Sequence, residues 1–147
     1  MSNIDLVKST LAAFESGDVK KAESLLSDDM VFSGPVPQPI PRNEFIGLQG
    51  ALVAAIPDWK FNASDYKEQG DKVTLKVHIS GTHTKALSLP PMGIQSLPPT
   101  GKHVQLPYEP LTVTVKNGKA TRIEGEHIEG GGVPGLLDQL GVKMPHP

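Results

Sequence analysis

The first part of the chain places its apolar residues at helical spacing. In residues 3–16 these are Ile4, Val7, Leu11 and Phe14. Their separation of three or four positions predicts an amphipathic helix. The same period predicts a second helix over 19–27 and a third that Asn43 caps and that ends before Pro57. A short strand, 28–35, is expected between the last two helices.

From Trp59 onward the apolar residues recur at every second position, as they do in strands. The predicted strands cover residues 59–66, 72–84, 103–117 and 119–128. Residues 117–119, Asn-Gly-Lys, are a strong hairpin signal between the last two. Residues 133–141 are expected to close the chain as a short helix or turn. Helices first and a bent antiparallel sheet afterwards predict an α+β fold in one domain, residues 1–147, with the helices on one face of the sheet.

The composition narrows the classes of function. With 147 residues, 14 prolines and 15 glycines, the chain has length enough for a core and much turn and loop. A net charge of -2 and only two arginines give no basic surface for nucleic acid. The absence of cysteine excludes disulfides, thiolate metal sites and cysteine nucleophiles. The sequence has no apolar run of about 18 residues and no signal-like N-terminus, so we expect neither a membrane span nor secretion, and hence a cytoplasmic protein.

The strand predicted over 72–84 indicates which of its side chains face inward. One face holds Val73, Leu75, Val77, Ile79, Gly81 and His83. Because this set is nearly all apolar, alternation predicts that His83 is buried, unless Gly81 bends the strand and reverses the face. The opposite face, with Lys76 and His78, is expected to lie in solvent.

Two further titratable residues fall on predicted inward faces. Glu109 alternates with the apolar residues of its strand, although nearby prolines leave a solvated edge glutamate equally open. His127 lies opposite the charged face of its strand, so it is expected to point inward; a core or rim histidine is the alternative. His83, Glu109 and His127 are therefore the candidate catalytic residues, suited to general acid–base chemistry in one cavity. No His-X-His or His-X-X-X-His spacing supports a metal ion, so no metal is predicted.

The expected cavity has apolar walls, and an apolar segment lies beside it in the sequence. The candidate substrate-binding residues are Phe32, Phe45, Trp59, Tyr66, Tyr108, Leu89 and Met92. The loop over 86–100 carries several large apolar side chains and four prolines, and is too apolar to leave in water. We expect this loop either to cover the mouth of the cavity as a lid or to pack against a partner subunit.

Several short stretches of the chain, taken in order, resemble one family. They are GDVKKAESLLSDDMVFSGP, AIPDWKF, GTHT, PPTGKHV, NGKATRIE and GLLDQLGV. Together they resemble the SnoaL-like polyketide cyclase branch of the NTF2-like superfamily, over nearly the whole chain. The resemblance implies a cone-shaped α+β barrel with a hydrophobic cavity, and a homodimer that packs through the sheet.

The resemblance also implies a reaction. Cyclases of this family use an aspartate on the strand before the Gly-Lys hairpin as general acid and base in an intramolecular aldol ring closure, without a cofactor. That position falls near Leu111 here, and Glu109, two residues earlier on the same face, is the available substitute. The resulting hypothesis is a cofactor-independent cyclase, isomerase or lyase that acts on an apolar, carbonyl-bearing molecule.

Two other hypotheses stay open. The cavity can bind a small molecule without catalysis, as a ligand-binding or accessory domain. The fold can also serve as a protein-interaction module, which would expose a large apolar patch on the free dimer.

Overall fold

The computed structural model describes residues 2–34, 39–89, 94–126 and 128–141. Four helices lie in this part of the chain: α1, Asn3–Ser16; α2, Val19–Leu25; α3, Arg42–Ala55; and α4, Gly132–Gln139. None of these described helices is long and apolar enough to cross a membrane. The sequence predicts the first three as helices and α4 as a short helix or turn, and the bounds of α1 are those expected.

The strands form one large sheet and two small ones. They are β1, Leu26–Ser33; β2, Ile40–Pro41; β3, Ser64–Gln69; β4, Lys72–Val77; β5, Ser80–Thr82; β6, Leu87–Leu89; β7, Ile94–Leu97; β8, His103–Gln105; β9, Glu109–Lys116; and β10, Lys119–Gly125. The main sheet has the order β2-β1-β10-β9-β4-β3. Within it β1 and β10 are parallel and the other pairs are antiparallel. β5 pairs with β8, and β6 with β7, as separate ribbons. The predicted α+β class with a mostly antiparallel sheet is confirmed.

Helix α1 is fixed at both ends by its sequence. The Asp5 backbone donates to the Ser2 hydroxyl at 3.0 Å, and the Ser2 backbone donates to the Asp5 carboxylate at 3.3 Å, which makes a capping box. At the other end Gly17 has a φ of 73°, the left-handed conformation that glycine adopts without strain. Val7 and Phe14 are buried, so the helix packs its apolar stripe onto the main sheet.

Helix α3 begins two residues earlier than the sequence suggests. Its N-cap is Pro41, which makes no side-chain capping bond, so the predicted cap at Asn43 is wrong. The reason is tertiary: Ile40 and Pro41 pair with β1, and the extended backbone of Pro41 leads straight into the helix. The end is as predicted, since α3 stops at Ala55, two residues before Pro57.

Two predicted strands are each divided in the structure. The predicted strand 72–84 contains β4 and β5, separated by His78 and Ile79, and 103–117 contains β8 and β9. The divisions arise because β4 and β9 pair in the main sheet, whereas β5 and β8 pair in their own ribbon. Pro107, which has no N–H to donate, lies in the second division.

Alternation along β4 decides which face of the main sheet is covered. Val73, Leu75 and Val77 are each at most 2% exposed, while Thr74 and Lys76 between them lie in solvent. The predicted inward face of this strand is therefore confirmed. Helix α1 packs against it.

Candidate functional site

A pocket lies between helices α1 and α3 and the inner face of the main sheet. Residues of β1, β4, β9 and β10 line the sheet side, and the start of α4 contributes to one end. The cavity volume that the centres of water-sized molecules can reach is about 110 Å³. By the same measure, a cavity needs about 10–15 Å³ to hold one water. Most lining residues are apolar, and they include Phe14, Phe32, Phe45, Trp59, Phe61 and Leu75.

Glu109 is the buried carboxylate of this pocket. It is the first residue of β9, pairs with Val77 of β4, and alternates with Leu111 and Val113 on the inward face. It is 6% exposed and lines the pocket. Its Oε1 accepts a hydrogen bond from the backbone N–H of Gly132 at 2.8 Å. Its Oε2 has no hydrogen-bond partner among the described residues.

Burial raises the pKa of the Glu109 carboxyl above its ordinary value, because apolar surroundings disfavour the charged form. The hydrogen bond from Gly132 lowers the pKa and is the smaller of the two effects. A glutamic acid whose pKa moves toward neutrality exchanges its proton more readily at physiological pH. Glu109 is therefore suited to acid–base work.

Two glycines allow α4 to approach this carboxylate closely. Gly131 is the N-cap of α4, and a Cβ atom there would lie only 2.9 Å from Glu109 Oε1. Gly132, which donates the hydrogen bond, has a φ of 66°. The positive end of the helix dipole lies at the same place and favours the ionised carboxylate. The glycine run after β10 thus has a specific geometric use.

Two neutral polar groups of the pocket also lack protein partners. Trp59 Nε1 and Gln49 Oε1 are buried, and neither has a partner within the part of the chain that the structure describes. Both residues line the pocket. By contrast, the Thr10 hydroxyl in the same lining donates to the Leu6 carbonyl at 2.8 Å. Together with Oε2 of Glu109, three buried polar atoms on residues of the lining have no partner among the described residues.

Sequence reasoning finds part of the lining and misses Gln49. The predicted residues Phe32, Phe45 and Trp59 line the pocket, and the Phe32 and Phe45 rings stack with centroids 4.8 Å apart. Gln49 lies one helical turn after Phe45, so the two share a face of α3. The sequence signal that could have identified Gln49 is its position as a polar residue within the apolar stripe of this helix.

His83 is buried, as alternation predicts, but it lies outside this pocket. The Thr100 backbone N–H donates to His83 Nδ1 at 3.2 Å, so the proton of the neutral ring is on Nε2. Burial lowers the pKa of His83 below its ordinary value. His83 follows β5 in the separate ribbon, and for this reason the structure does not bring it together with Glu109.

Tyr66, Tyr108 and Leu89 also lie outside the lining of the pocket. Tyr66 belongs to a separate surface groove, where Lys8 Nζ lies 5.0 Å from the centre of its ring. Tyr108 is 56% exposed and stacks on His78, with ring centroids 4.1 Å apart. Leu89 is buried in β6, which packs against α3.

The segment over 86–100 contains a hairpin where the structure describes it. β6 pairs with β7, and none of the described residues of the segment lines the pocket. This described part therefore does not cover the pocket as a lid, and its contact with a partner subunit stays a prediction. Met92 in this segment and His127 after β10, both predicted site residues, lie outside the described residues.

Comparison with known proteins places this geometry among related folds. The sequence profile described as SnoaL-like domain matches residues 7–123. No curated protein matches the chain.

Three solved structures share the fold. IdmH, a proposed polyketide cyclase from Streptomyces antibioticus, has a TM-score of 0.73 and 23% identity over 97% of this chain and 100% of that one. AclR, a proposed hydroxylase from Streptomyces galilaeus, has a TM-score of 0.73 and 21% identity over 95% of each chain. A proposed SnoaL-like polyketide cyclase from Jannaschia sp. CCS1 has a TM-score of 0.67 and 13% identity over 84% of this chain and 83% of that one. These likenesses agree with the predicted α+β cone.

Proposed function

Because the chain belongs to the SnoaL-like domain family, we propose that it is a small acid–base enzyme that needs no cofactor and acts on an apolar, carbonyl-bearing molecule. The reaction is of the cyclase, isomerase or lyase type, and Glu109 moves the proton. One observation carries the proposal. A carboxyl group with a raised pKa lines an apolar pocket, and one of its oxygens has no partner among the described residues.

The proposed reaction begins with Glu109 ionised. Its Oε2 removes a proton from the carbon next to the substrate carbonyl, and the electron pair of that C–H bond moves toward the carbonyl oxygen to give an enolate. Where a double bond extends the enolate, its far carbon takes the proton back from Glu109. Alternatively, the enolate expels a leaving group from the β-carbon, and Glu109 gives its proton to that group. In the third case the enolate carbon attacks a second carbonyl carbon and closes a ring, and Glu109 gives its proton to the new alkoxide. These outcomes correspond to an isomerase, a lyase and a cyclase.

The surroundings of Glu109 support this first step. A carboxylate whose pKa is raised is a stronger base than a free glutamate, so it takes a carbon-bound proton more readily. The N–H of Gly132 fixes Oε1 at 2.8 Å and leaves Oε2 for the substrate. The apolar lining keeps competing water away from the enolate.

The relatives share the fold and do not select one reaction. IdmH and the Jannaschia protein are proposed polyketide cyclases, whereas AclR is a proposed hydroxylase. Leu111 lies where the resemblance implies the cyclase aspartate, and it lines the pocket beside Glu109. Because the two residues share a face of β9, Glu109 reaches the same pocket from a position two residues away.

The alternative is a ligand-binding domain without catalysis. It is favoured by the apolar Leu111 at the position of the family aspartate. It is also favoured by Glu126, the second carboxylate in the described lining, which is exposed to solvent rather than enclosed beside Glu109. In that case Glu109 holds a polar group of the ligand and transfers no proton.

Deuterium exchange of acetophenone tests the enzyme proposal. This single-ring ketone has one enolisable carbon, its methyl group, and its exchange in D₂O is followed by NMR. We expect the wild-type protein to accelerate the exchange and Glu109→Gln to lose the acceleration by roughly a hundredfold or more. The matched control is Glu124→Gln, which removes a carboxylate near Arg122 outside the pocket and should keep the rate.

The absence of accelerated exchange is also informative. If acetophenone shifts the protein NMR signals of pocket residues while the wild-type protein leaves the exchange rate unchanged, the enzyme proposal fails for ketones. The ligand-binding alternative then stands.

A further inference from the structure

The polar atoms without partners in the pocket define what a ligand must offer. Trp59 and Glu109 are only 3% and 6% exposed, and Gln49 Oε1 is buried as well. Buried polar groups in proteins nearly always have a hydrogen-bond partner, and none of these three atoms has one among the described residues. Their presence in the lining of one pocket points to a bound molecule that supplies the partners.

The Trp59 indole restricts the first partner. Its Nε1–H is a donor only, so the ligand must place an acceptor against it. A carbonyl oxygen is such an acceptor. As the neighbouring carbon loses its proton, this oxygen becomes negative and the hydrogen bond from the indole becomes stronger.

The Gln49 amide restricts the second partner. Its oxygen accepts and its amino group donates, and rotation of the amide exchanges the two. A hydroxyl group satisfies either orientation, because it both donates and accepts. Gln49 lies in α3 and Trp59 follows that helix. A ligand that bonds to both residues therefore carries one polar group for each of them.

The size and shape of the pocket restrict the body of the ligand. The open volume of about 110 Å³ is of the order of an apolar cavity that takes benzene, about 150 Å³. The walls are aromatic: Phe32 stacks on Phe45, and Trp59 meets Phe61 edge to face at 5.9 Å. One flat ring with small substituents fits such walls.

We propose that the pocket recognises a single-ring hydroxy-carbonyl compound, with its carbonyl oxygen bonded to Trp59 and its hydroxyl bonded to Gln49. This rests on the proposed function, because the carbonyl so held is the one beside which Glu109 removes a proton. It limits the substrate class to compounds smaller than a polycyclic ring system.

Binding of matched ring compounds tests the recognition. The 2-, 3- and 4-hydroxyacetophenones carry both groups at three spacings, acetophenone carries the carbonyl alone, and the three ethylphenols carry the hydroxyl alone. Dissociation constants are measured by NMR titration. We expect at least one hydroxyacetophenone to bind roughly tenfold more tightly than acetophenone and than the matching ethylphenol.

Two variants assign the contacts. Trp59→Phe keeps a ring and removes the N–H, so the affinity for the best hydroxyacetophenone should fall roughly tenfold while that for the matching ethylphenol is unchanged. Gln49→Leu should lower the affinity for that isomer to the level of acetophenone and leave acetophenone itself unaffected. Gln69→Leu, an exposed glutamine in β3, is the control and should bind like the wild type.

The comparison between ligands needs only the wild-type protein, so it holds even if a variant fails to fold. Equal binding of all seven compounds, or no binding of any, overturns the proposed recognition. Wild-type proton exchange that depends on Glu109 but shows no preference for a hydroxyl overturns the recognition and leaves the enzyme proposal intact. A preference for the hydroxyl without proton exchange supports the recognition and overturns the enzyme proposal alone.

Discussion

Glu109 holds its proton more tightly in the folded protein than in the unfolded chain, because burial raises its pKa above the ordinary 4.5. The unfolded chain therefore loses this proton first as the pH rises. The free energy of unfolding that depends on Glu109 is therefore highest below the ordinary pKa, where the group is protonated in both states. It falls as the pH rises from there toward the pKa of the folded protein. At neutral pH the ionised Glu109 thus lowers the stability of the fold.

Glu109→Gln should remove this pH-dependent loss. The amide is close in size and carries no charge, so the melting temperature of the variant relative to the wild type should rise as the pH increases from the ordinary pKa of 4.5 toward the raised pKa of the folded protein. Thermal unfolding at a series of pH values measures the difference. Glu124→Gln, which removes a half-buried carboxylate of β10 outside the pocket, is measured beside it as the control for the substitution itself. A difference that shrinks as the pH rises would contradict the burial argument.

The sequence predicts the direction of Glu109 but not its neighbours. Alternation with Val113 and Val115 fixes the face of β9, and both are buried as expected. The same argument correctly buries His83, yet it cannot say in which sheet that strand pairs. Whether the Trp59 N–H has a partner among the described residues depends on other elements, so no local pattern reveals it.

Helices were more predictable than strands in this chain. α1 carries its own start and stop signals in Ser2 and Gly17, so its bounds follow from local sequence. The strand predicted to begin at residue 59 begins at Ser64 instead, as β3. Asn62 before it has a φ of 47°, a left-handed conformation that the alternating pattern does not indicate. The divisions between β4 and β5 and between β8 and β9 arise from long-range pairing, which the period of two does not encode.

At the scale of elements, we expect His83 to hold the turn between its strand and β8. Its backbone accepts from Gly101 at 2.8 Å and donates to Lys102 at 3.0 Å, while its ring accepts from Thr100. His83→Leu should lower the free energy of unfolding by roughly 1–3 kcal/mol, since it leaves the partly buried Thr100 N–H without this acceptor. Chemical denaturation measures the change.

Two further measurements make the result specific to His83. The variant should keep acetophenone exchange, because His83 lies outside the pocket. The control His78→Leu, on the stack with exposed Tyr108, should change stability little. If His83→Leu unfolds like the wild type but loses exchange, the catalytic role predicted from the sequence holds and the structural role fails.

At the scale of the whole molecule, we propose the homodimer that the family resemblance implies, packed through the outer face of the main sheet. Thr112 lies near the middle of this sheet, opposite Thr74 of β4 and Glu124 of β10. Sedimentation velocity should show a dimer for the wild type and a monomer for Thr112→Lys. The introduced ammonium group can pair with Glu124 in a monomer but would be buried without solvent in the dimer.

Ser24→Lys is the matched control for this experiment. Ser24 is exposed on α2 and does not belong to the outer face of the main sheet, so this variant should sediment like the wild type. A monomeric wild-type protein, or a Thr112→Lys variant that remains dimeric with an unchanged melting temperature, would rule out packing through this face.

The fold as a whole follows from the order of its elements, whereas the pocket depends on contacts between distant residues. Helices followed by a mostly antiparallel sheet predict the α+β class directly. The end of the pocket is formed by Gly131 and Gly132 against Glu109, more than twenty residues away in the chain. Such a contact has no local signature, because the glycine run is equally compatible with a plain loop.

The shared face of Glu109 and Leu111 has an evolutionary consequence. Side chains of a strand alternate, so a proton-transfer group that moves two positions along β9 still opens into the same pocket. A move of one position would carry it through the sheet to the opposite side. A lineage can therefore relocate its active carboxylate by two substitutions on one strand while every backbone pairing stays in place. Chemistry on this scaffold can diverge in steps of two residues, without refolding.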